Sequence, residues 1–385
     1  MHERGAGGGA DRVFWGLHDH LASSTDIQSD AFFFWHRSDQ STMGAREFCL
    51  GSTKQPGYRR LWNMRRRILT ELQDRSRPTL VASHFAFYAA ALLPKLSRLD
   101  HVVHFHGPWA AETAVERRRQ INVAMKRMIE RAVYSSAKAF IVLSHAFKEI
   151  LVNEYRIVPE RVHIIPGAVD LERFSPGDRD EARVRLGWPR HAKIVFCIRR
   201  LVRRMGLETL LEAFAAVASK HPGSILMIGG TGPLRNELEA QVRSRKLSDQ
   251  VRFTEFIPDA ELSFSYRAAD LSIVPSQSLE GFGLTALESL ACGTPVLVTP
   301  VGGLPEAVRG LSRQLVLADR SAVTLAKSLD EFLRDTLSLP SAEKCRKYVE
   351  ADFSWPKIGQ KVRELYWQVA QESMRKRPGQ PQMMN

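Results

Sequence analysis

Twice along this chain, short, largely apolar runs alternate with stretches of helical periodicity, and no other feature of the sequence constrains the fold as strongly. In the first half the runs are TLVASHF, HVVHFHG, AFIVLS and VHIIPG, with helical stretches such as Gln120 to Ser135 between them. In the second half KIVFCIRR, SILMIGG, VRFTEF, LSIVPS and PVLVTP alternate with GLETLLEAFAAVASK, PLRNELEAQVRSR and helices near Glu261 to Ala269 and Leu284 to Ala291. A strand that reads as one continuous run of β-branched and large apolar residues is covered on both faces. That requires a parallel sheet with helices above and below it. The expected architecture is α/β, with two tandem doubly wound Rossmann-like domains facing a central cleft.

The first domain is expected over residues 1–168 and the second over 169–353, followed by a helix over 354–374 packing back toward the first domain and a disordered tail over 375–385. The join falls between Val169 and Arg190, where Pro, Gly and charge interrupt the pattern. Asp178-Arg179-Asp180 in this segment has the spacing of a metal-binding acid pair, but no strand precedes it, so it reads as a solvated linker.

A length of 385 residues suits two cores, and 44% hydrophobic with 25% charged residues describes an ordinary soluble chain. The longest apolar runs, such as AFYAAALLP, are too short to span a membrane, and the opening MHERGAGGGADR is not a signal region. The four cysteines are far apart with no metal-ligand spacing, which points to a reduced, cytoplasmic setting. The net charge of +13 calls for an acidic partner. It peaks in YRRLWNMRRRIL (58–69) and between Arg117 and Arg131. These peaks read either as solvated helix faces or as a basic amphipathic surface for anionic lipid or a phosphorylated acceptor. No nucleic-acid-binding motif accompanies the charge, so nucleic acid is not an expected partner.

The chemistry concentrates between LSIVPS and VGGLPEAV. A buried strand ends at Pro275, a loop carries Glu280, Gly281, Phe282 and Gly283, and a helix starts at Leu284 or Thr285. Glycines before a helix let backbone N–H groups face an anion, and the helix dipole adds about half a positive charge there. A diphosphate suits that seat. Glu280 could accept hydrogen bonds from a sugar ring, and Glu288, about one turn into the helix, could reach a ribose.

The segment EGFGLTALE resembles the two-glutamate signature of the retaining family 4 glycosyltransferases (glycosyl transferases group 1), which have the GT-B fold. Other pieces resemble the family's motifs in the same order. They are GGGADRV (7–13), HFHG (104–107), IVLSHAFKEIL, IIPGAVDLERFSP (164–176, with Gly167 where Asn is usual), IRRLVRRMG (198–206), MIGGTGP (227–233) and GTPVLVTPVGGLPE (293–306). The resemblance implies that Arg200 binds the diphosphate. The family's lysine would lie five residues on, where this chain has Met205, so Arg204, or failing it Arg203, is expected to supply the missing charge. It implies that His106 lies near the transferred sugar; alternation puts His104 on the same face, but HGPW places His106 at the strand's C-terminal end, so His106 is the expected residue. Gly8 and Gly9 would let the first-domain loop approach the donor or acceptor, and Gly230 and Gly232 would make a tight strand-to-helix turn. GGTG lacks the full dinucleotide fingerprint, so no nicotinamide cofactor is expected. Ser144-His145 falls where the family keeps a structural turn. Family members open with a strand before the glycine loop, whereas only six residues precede Gly7, so either that strand is missing or truncated or the true start lies upstream.

The implied activity is transfer of a hexosyl unit from a UDP- or GDP-sugar to a glycan or lipid-linked glycan at the cytoplasmic membrane face, with retained configuration, no metal and no cofactor besides the nucleoside diphosphate sugar. Arg200, its basic neighbour and the residues Gly281 to Thr285 would stabilise the leaving diphosphate, and Glu280 would orient the sugar. Glu280→Ala and Arg200→Ala are each expected to abolish transfer while leaving the fold intact. Two alternatives are a sugar-nucleotide epimerase of the same architecture and a nucleotide-binding membrane-surface partner that no longer transfers.

Overall fold

A computed structural model describes residues 8–24, 26–35, 44, 46–72, 79–116 and 120–375. The stretch before Gly8 and the expected tail beyond Arg375 lie outside the described residues, as do Arg117 to Arg119 of the second basic peak. The described residues pack into two compact units. The first comprises 8–111, 120–165 and 355–375, and the second comprises 112–116 and 166–354.

In the first unit the expected runs form β3 (Leu80–Ser83), β4 (Asp100–Phe105), β5 (Ala139–Val142) and β6 (Val162–Ile164), a parallel sheet in that order. Every residue of β4 and β5 is buried, as strands covered on both faces must be, including Asp100, His101 and His104 of β4. A second parallel pair, β1 (Ala31–Trp35) with β2 (Glu47–Ser52), precedes them and was not anticipated from the sequence. The C-terminal helix Trp355–Arg375 buries Ile358, Val362, Leu365 and Val369 along one stripe. It packs on the helix Gly9–Ala22, where a Cβ on Gly16 would lie 2.1 Å from the Trp355 ring.

In the second unit the five expected runs form β7 (Lys193–Ile198), β8 (Ser224–Gly229), β9 (Val251–Phe253), β10 (Leu271–Val274) and β11 (Val296–Val298). All pairs are parallel, in the spatial order β11-β10-β7-β8-β9. The helix Leu207–Ala218 shows why such segments fold as they do. Leu207, Leu210, Leu211, Phe214 and Val217 recur at three- and four-residue spacing, and all are buried in the core beside β7 and β8. Burial of each such large side chain contributes about 1.5–3 kcal/mol.

The segment after the first unit differs from its expected description as a solvated linker. Asp178 accepts a hydrogen bond from the Glu181 amide (2.7 Å) and caps a helix, Arg179–Leu186. Arg179 and Arg183 of that helix both bind Asp270, so the charge in this stretch is structural. Its polar composition masked the helix because packing and ion pairs stabilise it rather than an apolar stripe.

Candidate donor site and histidine cluster

The strand order of the second unit says where its site must be. The chain runs from β7 through β8 to β9 at one edge, then returns to β10 and continues to β11 at the other. Loops leaving β7 and β10 therefore diverge, and the gap outside their C-terminal ends is where such sheets bind ligands. β7 ends at Ile198, just before Arg199 and Arg200, while β10 ends at Val274, just before Pro275, Ser276 and the loop to Glu280.

Close backbone approach locks these loops together. The Gln277 amide donates to the Arg204 carbonyl (2.8 Å), and a Cβ on Gly206 (φ +75°) would lie 1.9 Å from the Pro275 carbonyl oxygen. Only glycine satisfies both the space and the left-handed backbone at that point. Glu280 is held in the same way. The Gly303 amide donates to its carbonyl (3.0 Å), and Leu279 before it takes a left-handed φ of +53°, a strained conformation for a non-glycine residue.

The central side chain here is one that sequence reasoning passed over. Arg199 is 9% exposed, and its Nη2 binds the Glu280 Oε2, sits 2.9 Å from Ser276 Oγ and lies 2.8 Å from Met205 Sδ. Its Nη1 reaches Thr285 Oγ1 (3.2 Å) in the first turn of the helix Leu284–Ala291. Ser276 Oγ also donates to Glu280 Oε2 (2.9 Å). Glu280 is therefore one half of a buried ion pair, with side-chain exposures of 7% for Arg199 and 12% for Glu280. Removing this carboxylate strands a buried guanidinium, so Glu280→Ala is expected to cost stability as well as transfer.

The other cations are distributed differently. Arg200 is exposed. Arg203 lies at the surface on Glu208 (2.6 Å) and Glu237 (2.9 Å). Arg204 is buried, bound to Glu112 (3.2 Å) and to the Leu279 carbonyl (3.1 Å). Burial raises the Glu112 carboxyl above the usual carboxylate range even though Arg204 and Arg200 pull it down.

Within EGFGLTALE, Gly283 caps the helix, and Thr285 contributes its hydroxyl to Arg199. Phe282 is buried, its ring 5.7 Å from that of Phe353, and Leu284 fills the space over Gly167, where a Cβ would lie 2.6 Å from Leu284 Cδ2. Gly281 sits half-buried in the loop between Glu280 and Phe282. Glu288 is 2% exposed and accepts from the Tyr266 hydroxyl (3.0 Å). Gly230 and Gly232 bring their turn against the exit of β7, since added Cβ atoms would lie 2.1 Å from the Arg199 carbonyl oxygen and 2.5 Å from that of Leu201.

The first unit holds a separate cluster. His106 follows β4 as anticipated, and its Nε2 hydrogen bonds with Nδ1 of His84 (2.9 Å), which follows β3. His104 stacks on His84 with ring centroids 4.1 Å apart, and its Nε2 hydrogen bonds with the Tyr366 hydroxyl (2.6 Å). Burial pushes His106 down to about 4 and His104 to about 3, and His84 well below its ordinary value. The cluster is therefore neutral near pH 7 and can donate or accept hydrogen bonds without adding positive charge. His84 was missed although the signal was present, since ASHF and HFHG each place a histidine just beyond an apolar run. Gly8 precedes the helix Gly9–Ala22 with open space where its Cβ would be. Ser144 caps the helix His145–Tyr155 by accepting from the Phe147 amide (3.2 Å), which makes it structural. Among the described residues, the side chains of His18, Asp19 and Glu47 could offer three metal-ligand atoms within 4.8 Å, but His18 is engaged by Ser29 (2.9 Å).

Two parallel α/β units with this arrangement of loops and glycines define the class: the fold is GT-B, that of a large group of glycosyltransferases. A sucrose-phosphate synthase from Thermosynechococcus elongatus superposes with a TM-score of 0.77 at 24% identity, over 96% of this chain and 95% of that one. The Anabaena protein HepE, in complex with UDP and glucose, gives 0.75 at 18% identity, over 95% and 98%. Residues 7–173 match the family model described as Glycosyltransferase Family 4, and residues 178–352 match Glycosyl transferases group 1. With both halves matched in order, the chain belongs to the group 1, family 4 glycosyltransferases. It is 35% identical over 252 residues to a D-inositol 3-phosphate glycosyltransferase from Corynebacterium jeikeium, a match covering 63% of this chain and 60% of that protein's length.

Proposed function

We propose that this chain transfers a sugar from a nucleoside diphosphate sugar, bound by the second unit, to a phosphate-bearing acceptor, free or lipid-linked, served by the first. The observation that carries this reading is the group formed by Arg199, Ser276, Glu280 and Thr285 at the divergence of β7 and β10, with the exposed Arg200 next along the chain. Breaking the anomeric bond leaves negative charge on the diphosphate. Arginines and the helix start beside them stabilise that charge without a metal, because their dipoles are already oriented when the charge develops. Arg199 and Ser276 occupy Oε2 of Glu280, which leaves Oε1 for a sugar hydroxyl. In that role Glu280 orients the sugar, and the departing phosphate assists deprotonation of the acceptor on the same face, so configuration is retained. The neutral His106 of the first unit offers substrate a hydrogen-bonding group that adds no positive charge.

The named relative supports an acceptor carrying a phosphate, and the complex of HepE with UDP and glucose supports a nucleotide-bound donor. The surface of the first unit supports a peripheral membrane setting. On the helix Gly57–Glu71, Tyr58 and Trp62 are 69% and 59% exposed among arginines, with Arg66 over the Trp62 ring. On the helix Gln120–Ser135, Ile121 and Met128 are exposed as well. Aromatic and apolar side chains interleaved with arginine suit an anionic lipid interface. Among the described residues no helix is long and apolar enough to cross a membrane.

A thermal-shift panel of UDP-, GDP- and dTDP-sugars tests the donor. A ligand at 100 times its dissociation constant adds about 2.7 kcal/mol of stability. One nucleotide class should stabilise the protein, and Arg200→Ala should abolish transfer from it to inositol phosphate or a membrane extract. If no donor stabilises the protein, the reading fails.

A further inference from the structure

The family resemblance leaves one gap in the donor seat, the methionine at 205 where a lysine would put a cation. The two arginines expected to replace it are engaged elsewhere, Arg203 at the surface with Glu208 and Glu237, and Arg204 with Glu112. The space at the end of the Met205 side chain is nevertheless not without charge. Arg199 Nη2 lies 2.8 Å from Met205 Sδ, so the guanidinium occupies the ground a longer cationic side chain at 205 would reach. The same guanidinium touches Thr285 in the first turn of the helix that begins at Leu284. Its Nε is buried and has no hydrogen-bond partner. The charge of the guanidinium is already paired with Glu280, so what remains is one uncommitted buried donor beside a helix N-terminus, a place that suits an oxygen of an anion.

We propose that Arg199 supplies the second cationic contact to the donor diphosphate, replacing from the preceding strand the lysine absent at 205. This inference rests on the nucleoside diphosphate sugar reading above. When no donor is bound, Glu280 Oε2 and Ser276 hold the guanidinium in place, so it is oriented before the ligand arrives. When a diphosphate binds, a phosphate oxygen takes the free Nε, and a planar fork lets the same side chain keep Glu280 while it does so. Arg199 thereby couples the group that orients the sugar to the phosphate that leaves.

The test compares UDP with uridine and GDP with guanosine by calorimetry, because the ratio of their affinities isolates what the phosphates contribute. Wild-type protein should bind one diphosphate well above its nucleoside. Arg199→Met should reduce that ratio at least tenfold while nucleoside affinity stays constant. The exchange variant Arg199→Met with Met205→Lys should restore it, since it moves the cation along the loop. It also keeps a partner for Glu280, so it carries the test should the single variant fail to fold. An Arg199→Met protein with the wild-type ratio overturns the inference and leaves the donor reading standing. So does equal loss of nucleoside and diphosphate binding, which marks Arg199 as merely structural, or an exchange variant without phosphate discrimination. Wild-type protein that binds neither diphosphate overturns the donor reading itself.

Discussion

Replacing Glu280 separates its two roles, because alanine and glutamine remove different things. Glu280→Ala deletes the partner of a guanidinium whose side chain is 7% exposed, leaving Ser276, Thr285 and Met205 Sδ as its only neighbours in that group. Breaking a buried pair by removing one partner costs about 3–5 kcal/mol. For a unit of this size each kcal/mol shifts Tm by about 2–4 °C, so the transition of the second unit should fall by roughly 6–20 °C. Glu280→Gln keeps an oxygen acceptor for Arg199 and Ser276 and loses only the charge, at about 1–2 kcal/mol. In the transfer assay the glutamine variant loses one charge-assisted hydrogen bond to the sugar, about 1.5–3 kcal/mol, or roughly 10- to 150-fold in kcat/KM. Its UDP or GDP affinity should be no weaker than wild type, because a carboxylate has been removed from beside an anion. Scanning calorimetry, turnover and nucleotide titration on the three proteins report these effects separately. An alanine variant as stable as wild type refutes the buried-pair argument, and a glutamine variant with full turnover refutes the assignment of Glu280 to the sugar.

Two further predictions concern the first unit. His101, His104, His106 and His84 are all held neutral by burial, with His101 and His106 at about 4 and His104 at about 3. The unfolded chain binds these protons near pH 6.5, so stability is fully present above that pH and is lost as pH falls toward 4, by on the order of 1.4 kcal/mol per pH unit for each site. Denaturant titrations between pH 7 and 5 should show this slope, and His101→Gln should lessen it by one proton; pH-independent stability over that interval refutes the buried neutral cluster. On the membrane question, reversing Arg65, Arg66 and Arg67 to glutamate, or replacing Tyr58 and Trp62 with serine, should abolish sedimentation with anionic vesicles while leaving donor binding unchanged. Undiminished vesicle binding removes the case for that surface.

Much of the architecture could be read directly because its causes are local. An unbroken run such as SILMIG is buried wherever it lies, and LETLLEAFAAVA turns one apolar stripe inward whatever it meets, so strands, helices and the parallel sheets followed from pattern alone. The segment EGFGLTALE likewise announced a loop, a capping glycine and a helix start. The helix at Arg179–Leu186 escaped notice because it has no apolar stripe; its local signals were the Asp178 cap and the Gly187 stop, and ion pairs to Asp270 help to hold it.

The site's partners were beyond local reasoning. Arg199 and Glu280 are 81 residues apart, and His104 and Tyr366 are 262 apart. Four arginines crowd the stretch from Arg199 to Arg204, and the sequence alone ranks them only by resemblance. Which guanidinium turns inward depends on the direction in which the chain leaves β7 and on which loop β10 brings beside it. Only the tertiary structure decides that, and it buries Arg204 against Glu112 and, on Glu280, Arg199, one residue before the arginine that the sequence favoured.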